Sequence, residues 1–440
     1  MSLEDAPALL EDLPALLAQH EAVVGVSVAV LRGRAADGGA AVTAACAGWA
    51  VRDEARMDAE TWLQIASLSK TVGTAFALET FRERGISTAQ SANALLARLG
   101  SRWALRGADA QHSAYADAVT VAQLVNHTAL GMHYVPGVHV PESAMPSAVD
   151  MLSGAAVEHG YAALLVERAP GVHFKYSGGG FIVLQHVLEL VYGTPVDEAL
   201  LPFLAKCGAA DLGFSFEAYG GVANVADGYY DDGRAVPGRG GLAFPPLAAG
   251  GRGTPTAVAK FLFELAEAYH GRGQAISEAT AHAMLDRENL VDLGSLDFMR
   301  ARAGLGVFVA RAGPNSVMLH QAANDGFRGV YVVCFDGPDA ANGPVGFVVL
   351  ANGDNAATFL NCDVCVALLR ELRLEGVDLA LLASDVQKAE LLAAPQEQIV
   401  NLGYKELVFR AFVAGEEEKA FENDTLVGSL CSCVWPTAYL

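Results

Sequence analysis

Apolar positions in residues 7–20 recur at helical spacing. Leu9, Leu13, Leu16 and Leu17 share one stripe, which predicts an amphipathic helix. Two strand-like runs follow, Val23 to Leu31 and Ala41 to Ala50, around a Gly-rich turn at Arg34 to Gly39. A strand-like lead, Trp62 to Ala66, then gives way to a helical pattern that opens at Ser67 and stops at Gly85. From there to about residue 300 the pattern is mainly helical with long loops. Val119 to His127 and Tyr161 to Glu167 read as helix pieces, and Gly180 to Tyr192 as an apolar helix. Tyr219 to Gly253, rich in Gly, Pro, Asp and Tyr, reads as a loop too long to lack a role.

Strands return at Gly304 to Ala312, Ser316 to Gln321, Gly329 to Phe335 and Val345 to Ala351. The turn signals between them, including Asn324-Asp325-Gly326 and Asp336-Gly337-Pro338, are too short for crossovers, so the strands pair antiparallel. A helix from about Thr358 to Leu374 follows. The ordering predicts an α/β chain of the α+β type. One antiparallel sheet is built from both chain ends and flanked by terminal helices, with a large helical insertion between. The expected main domain spans residues 1–375, with its sheet at 1–60 and 300–375 and its helical region at 61–299. Residues 376–440 fall outside this plan, as an extension that could pack on the body, cover a site or mediate assembly.

Charge narrows the function classes. The formal charge of −21 repels phosphate backbones and anionic lipid, which excludes nucleic acid and membrane surfaces as expected partners. No apolar run approaches the ~20 residues of a membrane span. The N-terminus carries Glu4, Asp5, Glu11 and Asp12 and lacks a basic stretch followed by an apolar one, so no secretory signal is read. Seven scattered cysteines, an odd number, fit a reducing compartment, and the expected location is cytoplasmic; a leader already removed would leave no trace. Cys362-x-x-Cys365 with Cys431-x-Cys433 can be read as a metal or redox site. The first pair lies in an apolar helical pattern, however, which favours buried thiols, and no metal and no cofactor are expected.

The candidate chemistry lies in Ser67-Leu68-Ser69-Lys70. A spacing of three stacks Lys70 beside Ser67 on one helix face, at the positive end of the helix dipole. Lysines are scarce, seven in the whole chain, so Lys70 is not drawn from a lysine-rich surface. A serine attacks a carbonyl only if its proton is removed, and Lys70 can take that proton once burial has lowered its affinity for it. Tyr176 offers a second proton carrier, and His320 lies on a later strand. Taken singly, Ser67 is a helix cap, Lys70 a solvated lysine, Tyr176 a core phenol and His320 an ordinary strand histidine. In combination and in this order they point to nucleophilic acyl transfer. No G-x-S-x-G elbow, H-E-x-x-H pair or phosphate-cradling glycine loop competes with that reading.

The ordered motifs resemble the serine β-lactamase and penicillin-binding-protein-like superfamily, in particular its class C β-lactamase, D-peptidase and family VIII esterase branch. Ser67 and Lys70 match its S-x-x-K, Tyr176-Ser177-Gly178 its Y-x-N or Y-S-x, and His320-Gln321-Ala322 its K-T-G or H-x-G. Leu124 to Gly131, Ala249 to Thr254 and His320 to Arg328 match supporting segments, and the likeness spans about residues 8–372. The resemblance implies a β-lactamase/DD-peptidase-like fold. It implies Ser67 as nucleophile, Lys70 and Tyr176 as general base and acid, and the Ser67 and Ala323 amides as oxyanion donors. It also implies that His320, Gln321, Ala322, Ser177 and Gly178 border the substrate.

Three departures bear on specificity. Gly178 replaces the side-chain amide that lactam-type sites use. His320 replaces a lysine and carries little charge at neutral pH, so it grips a substrate carboxylate poorly. Ala322 adds a methyl at the strand edge. A neutral small-molecule ester or amide is therefore the expected substrate, with esterase chemistry favoured. A peptidase or amidase, an acyltransferase, and an inactive binding or assembly protein stand as alternatives, and a homo-oligomer is compatible with each.

Overall fold

The computed structural model describes residues 8–20, 23–131, 135–139, 145–214, 222–291, 301–356 and 359–376. Helix α1 (Ala8–Leu17) leads into strands β1 (Gly25–Arg34), β2 (Ala40–Val51) and β3 (Ala55–Arg56). Next come β4 (Leu63–Gln64), a 3₁₀ turn at Ala66–Leu68 and α2 (Ser69–Arg84). The helical region continues with α3 (Ala92–Arg98), α4 (Ser113–Ala118), α5 (Val121–Val125), α6 (Ala148–Ser153), α7 (Gly179–Tyr192), α8 (Val196–Lys206), α9 (Pro255–Tyr269) and α10 (Glu278–Leu285). Within it, β5 (Arg106–Gly107) pairs with β6 (Leu165–Val166), and β7 (Leu212–Gly213) and β8 (Arg252–Gly253) join β4 in a small sheet. The chain then returns through β9 (Ala301–Ala303), β10 (Phe308–Ala312), β11 (Asn315–Asn324), β12 (Phe327–Asp336) and β13 (Val345–Ala351), and the described residues close with a helix at Cys365–Leu372.

The main sheet is antiparallel throughout, in the order β3-β2-β1-β13-β12-β11-β10-β9. Its two sequence-distant halves join where β1 pairs with β13, Val28 opposite Val349. Alternation along β1 feeds two cores. Val26, Val28 and Val30 pack with Leu13 of α1 and with Leu368 and Leu369 of the last helix. Ala29 and Leu31 face the helical region, with Leu262 and Leu265 of α9 in the same cluster. Because both faces are covered, β1 reads as an almost unbroken apolar run.

Several expected elements differ in detail. The strand-like lead before Ser67 is extended only at Leu63–Gln64, and the helix proper starts two residues late, at Ser69, after a 3₁₀ turn. Tyr161 to Glu167 is not helical. Leu165 and Val166 are instead extended beside Arg106 and Gly107. Of the run Gly304 to Ala312 only Phe308–Ala312 is strand; its first residues form the reversal from β9, with Gly306 at φ +68°. The closing helix begins as a π turn at Phe359–Val364, and Cys365 is buried in the helix that follows. The Cys362 side chain, Cys431, Cys433 and the expected 376–440 extension beyond Gly376 lie outside the described residues.

Candidate active site

The helix carrying Lys70 is buried almost all round. Ser69 through Phe81 are all buried, so α2 is a central core helix rather than a surface one. Lys70 is drawn in with it and is 1% exposed. Its Nζ donates to Ser67 Oγ at 3.1 Å and to the Ala248 carbonyl at 2.6 Å. Burial lowers this ammonium from its ordinary 10.5 to about 7, so a neutral amine is accessible near neutral pH.

Two glycines make that geometry accessible. A Cβ on Gly73 would lie 2.9 Å from the Leu247 side chain, so glycine there lets the π turn Pro246–Gly250 press against α2 and present the Ala248 carbonyl. Gly306 sits where a Cβ would fall 2.1 Å from Thr74 Oγ1, and its carbonyl accepts from Thr71 Oγ1 at 2.8 Å. The long Gly- and Pro-rich segment that sequence alone reads as loop thus carries the acceptor that holds Lys70.

Ser67 sits on a tight corner. Ala66 has φ +44°, a left-handed conformation that costs an alanine about 1 kcal/mol or more. Ser69 Oγ donates to the Ala66 carbonyl at 2.5 Å and accepts from the Gly251 amide at 2.9 Å, which pins the corner. Ser67 itself is partly exposed while its neighbours are buried.

Tyr176 comes to this point from the segment just before α7. The Lys70 Nζ lies 4.8 Å from the Tyr176 ring centroid and 5.4 Å from that of Phe181. Behind the phenol, His127 stacks at 4.4 Å between centroids. His127 Nδ1 accepts from the Ser177 amide at 3.0 Å, which leaves the ring proton on Nε2. Burial, and then the charge of Lys70, holds His127 well below its ordinary 6.5. Ser177 is therefore turned inward, with its amide on His127, and Gly178 caps α7.

The strand side is formed by β11. β10 pairs with it only as far as Leu319, opposite Phe308, so β11 runs on from His320 beyond that partner. Asn324 and Phe327 close a two-residue hairpin, and antiparallel alternation then directs the Ala323 and Gln321 backbone groups away from β12. Ala323 is exposed there, whereas Ala322 is buried on the same strand face as His320, two residues before it. The 3₁₀ turn bearing Ser67 packs directly against β11.

His320 is 2% exposed, its centroid 6.2 Å from that of Tyr176 and 5.1 Å from that of Phe308. Its Nδ1–H donates to the Gln321 carbonyl at 2.6 Å, so Nε2 is left as a bare acceptor. Burial and the Lys70 charge lower its pKa to about 3, which makes the ring neutral at every working pH. Among the described residues, no group of three His, Cys, Asp or Glu side chains is placed to hold a metal ion, and no helix is long and apolar enough to cross a membrane.

Ser67, Lys70, Tyr176, His320 and the Ala323 edge, drawn from distant regions of the chain, thus converge on one place. The model of the family described as Beta-lactamase matches residues 13–362. The chain belongs to the β-lactamase family. No curated protein matches it. Among solved structures it is similar to the D-amino acid amidase from Ochrobactrum anthropi SV3, at 19% identity and a TM-score of 0.59, covering 83% of this chain and 98% of that one. It is also similar to the octameric penicillin-binding protein homologue from Pyrococcus abyssi, at 19% identity and a TM-score of 0.58, covering 78% and 73%. The β-lactamase/D-alanine carboxypeptidase from Pseudomonas syringae matches at 17% identity and a TM-score of 0.57, covering 82% and 98%. At these identities the likeness establishes a shared fold, with the family resting on the sequence model.

Interactions invisible to sequence reasoning complete this β-lactamase-family site. The Ala248 carbonyl is a backbone group and leaves no residue signal. His127 lies inside a segment that the motifs single out, but its left-handed backbone, φ +64°, and its stacking on Tyr176 are features of the folded chain. Gln64, three residues before Ser67, and Asn324 form a side-chain bond at 2.6 Å that only the folded chain creates.

Proposed function

We propose that this β-lactamase-family chain is a serine hydrolase that forms an acyl-enzyme on Ser67. The observation that carries the reading is the buried Lys70 amine, 3.1 Å from Ser67 Oγ and with a pKa brought to about 7. Neutral Lys70 accepts the Ser67 proton as Oγ bonds to the substrate carbonyl carbon. The resulting oxyanion is held by the Ser67 and Ala323 amides. The lysine proton then passes to the leaving oxygen or nitrogen, with the Tyr176 phenol as relay, and the scissile bond breaks. Water completes the cycle: the Lys70–Tyr176 pair takes one proton from it as its oxygen attacks the acyl carbon, and returns that proton to Ser67 Oγ as the acyl–serine bond breaks. Lys70 and Tyr176 form a coupled pair, so neither is assigned as sole base.

The substrate class follows from charge. Neutral, buried His320 offers no cation to a carboxylate, which supports an uncharged ester or amide and disfavours anionic lactams. Esterase chemistry is our leading assignment. The amide reading is supported by the fold shared with the D-amino acid amidase, and the octamer named for the Pyrococcus abyssi protein motivates a light-scattering test for self-association. Purified protein should be labelled by a fluorophosphonate and should release p-nitrophenol from short acyl esters with a burst. Ser67→Ala should lose both, and intact-mass spectra should show no adduct. Persistence of labelling in Ser67→Ala, or its absence in the wild type, would overturn the assignment.

A further inference from the structure

We infer that Asn324 is a positioning residue: its side chain ties the oxyanion edge of β11 to the turn that holds Lys70 and to the strand that leads into Ser67. The inference rests on the function proposed above and concerns how that site keeps its shape. The reacting groups sit on separate segments. Ser67 follows β4, Lys70 is anchored on Ala248 of the π turn, and the Ala323 amide lies at the end of β11, beyond its pairing with β10. The end of β11 beyond β10, a two-residue strand and an irregular turn share no hydrogen-bonded ladder that would fix their mutual distances.

Asn324 joins all three. Its Nδ2 donates to Gln64 Oε1 at 2.6 Å and to the Ala249 carbonyl at 3.0 Å. Gln64 lies in β4, three residues before Ser67, and Ala249 directly follows the Ala248 that accepts from Lys70. Gln64 Nε2 in turn donates to the Gly240 and Leu242 carbonyls, at 2.7 and 3.0 Å. With two carbonyls as its targets, that nitrogen cannot be exchanged for the amide oxygen, and Oε1 must be what faces Asn324. Both side chains are buried, so neither amide has water to fall back on. The Asn324 backbone is held from the other side. Arg328 Nη1 donates to the Asn324 carbonyl at 2.7 Å and pairs with Asp354 Oδ1 at 2.9 Å. The end of β11 is thus clamped through its main chain, and its side chain transmits that fixed position to the two segments carrying nucleophile and base.

The consequence is kinetic. An oxyanion donor misplaced by about 1 Å costs on the order of 100-fold in rate, with little effect on substrate binding. In the full chain, Asn324→Ala should lower the single-turnover rate of Ser67 acylation by a p-nitrophenyl ester about 10- to 100-fold, with KM changed less than threefold. The acid limb of the rate profile should rise by half a pH unit or more, because slack in the π turn admits water to the Lys70 amine. Asn324→Asp, which keeps the size but removes both donated bonds, should do the same. The exchange Gln64→Asn with Asn324→Gln keeps both amides and the summed side-chain length, and should recover the rate to within about tenfold of wild type. Should Asn324→Ala not fold, Asn324→Asp and the exchange still decide the matter.

A variant that melts lower but acylates at the wild-type rate per labelled serine, with an unmoved acid limb, would reduce Asn324 to a purely structural role and overturn the inference. Labelling that survives Ser67→Ala would instead strike the underlying hydrolase function. The two failures are read from different proteins.

Discussion

Replacing Lys70 by methionine separates catalysis from stability at one position. A fall in the ammonium pKa from 10.5 to about 7 means that the folded chain pays for a buried cation at low pH. At about 1.4 kcal/mol per pH unit, the full penalty is roughly 5 kcal/mol. The sign follows from proton counting. Between about pH 7 and 10.5 the unfolded chain holds a proton on Lys70 that the folded chain has released, so wild-type stability rises with pH across that window and the penalty is complete below it. Methionine fills the stem but cannot charge, so the variant lacks this pH dependence.

Loss of the hydrogen bonds to Ser67 and Ala248 shifts the variant by a constant that cancels in a comparison of slopes. From pH 7 to 9.5 the wild type should therefore gain roughly 3–4 kcal/mol relative to Lys70→Met. For a folded body of this size that corresponds to about 4 °C in melting temperature, readable by scanning calorimetry at several pH values. The same titration should appear in kinetics: wild-type kcat/KM rises about tenfold per pH unit below about 7 and levels off above it, while the variant loses several orders of magnitude at all pH values. Parallel melting curves for the two proteins, or an acid limb far from 7, would refute the claim that Lys70 is a desolvated base.

Tyr176→Phe keeps the ring stacked on His127 but removes the hydroxyl; it should slow acylation roughly 100- to 1000-fold, by stopped-flow, with the melting point nearly unchanged. Gly306→Ala should destabilise the fold by about 2 kcal/mol or more in denaturant titration, since its methyl meets Thr74 Oγ1 and the Lys70 carbonyl and φ is +68°. A Gly306→Ala protein of wild-type stability would show that this close approach to α2 is not needed.

The pattern of apolar residues was sufficient for the architecture. Period-two runs near both ends, with turns too short for crossovers, leave an antiparallel sheet as the outcome, and β1 with β13 closes it. The spacing of Ser67 and Lys70 likewise determined that hydroxyl and amine would share one helical turn, because one turn is a local property. The tertiary structure decided what the neighbours of that turn would be. Burial of α2 lowers the Lys70 ammonium to about 7, and no local pattern records how deeply a helix is buried. The same holds for the Ala248 carbonyl, the left-handed Ala66 and the Gln64–Asn324 bond: each joins or bends segments for reasons set by distant packing. Tyr161 to Glu167 went the other way, its helical spacing overridden by pairing with Arg106 and Gly107. Local spacing fixes which groups can meet within a turn, whereas desolvation and long-range hydrogen bonds, which set their chemistry, exist only once the chain has closed on itself.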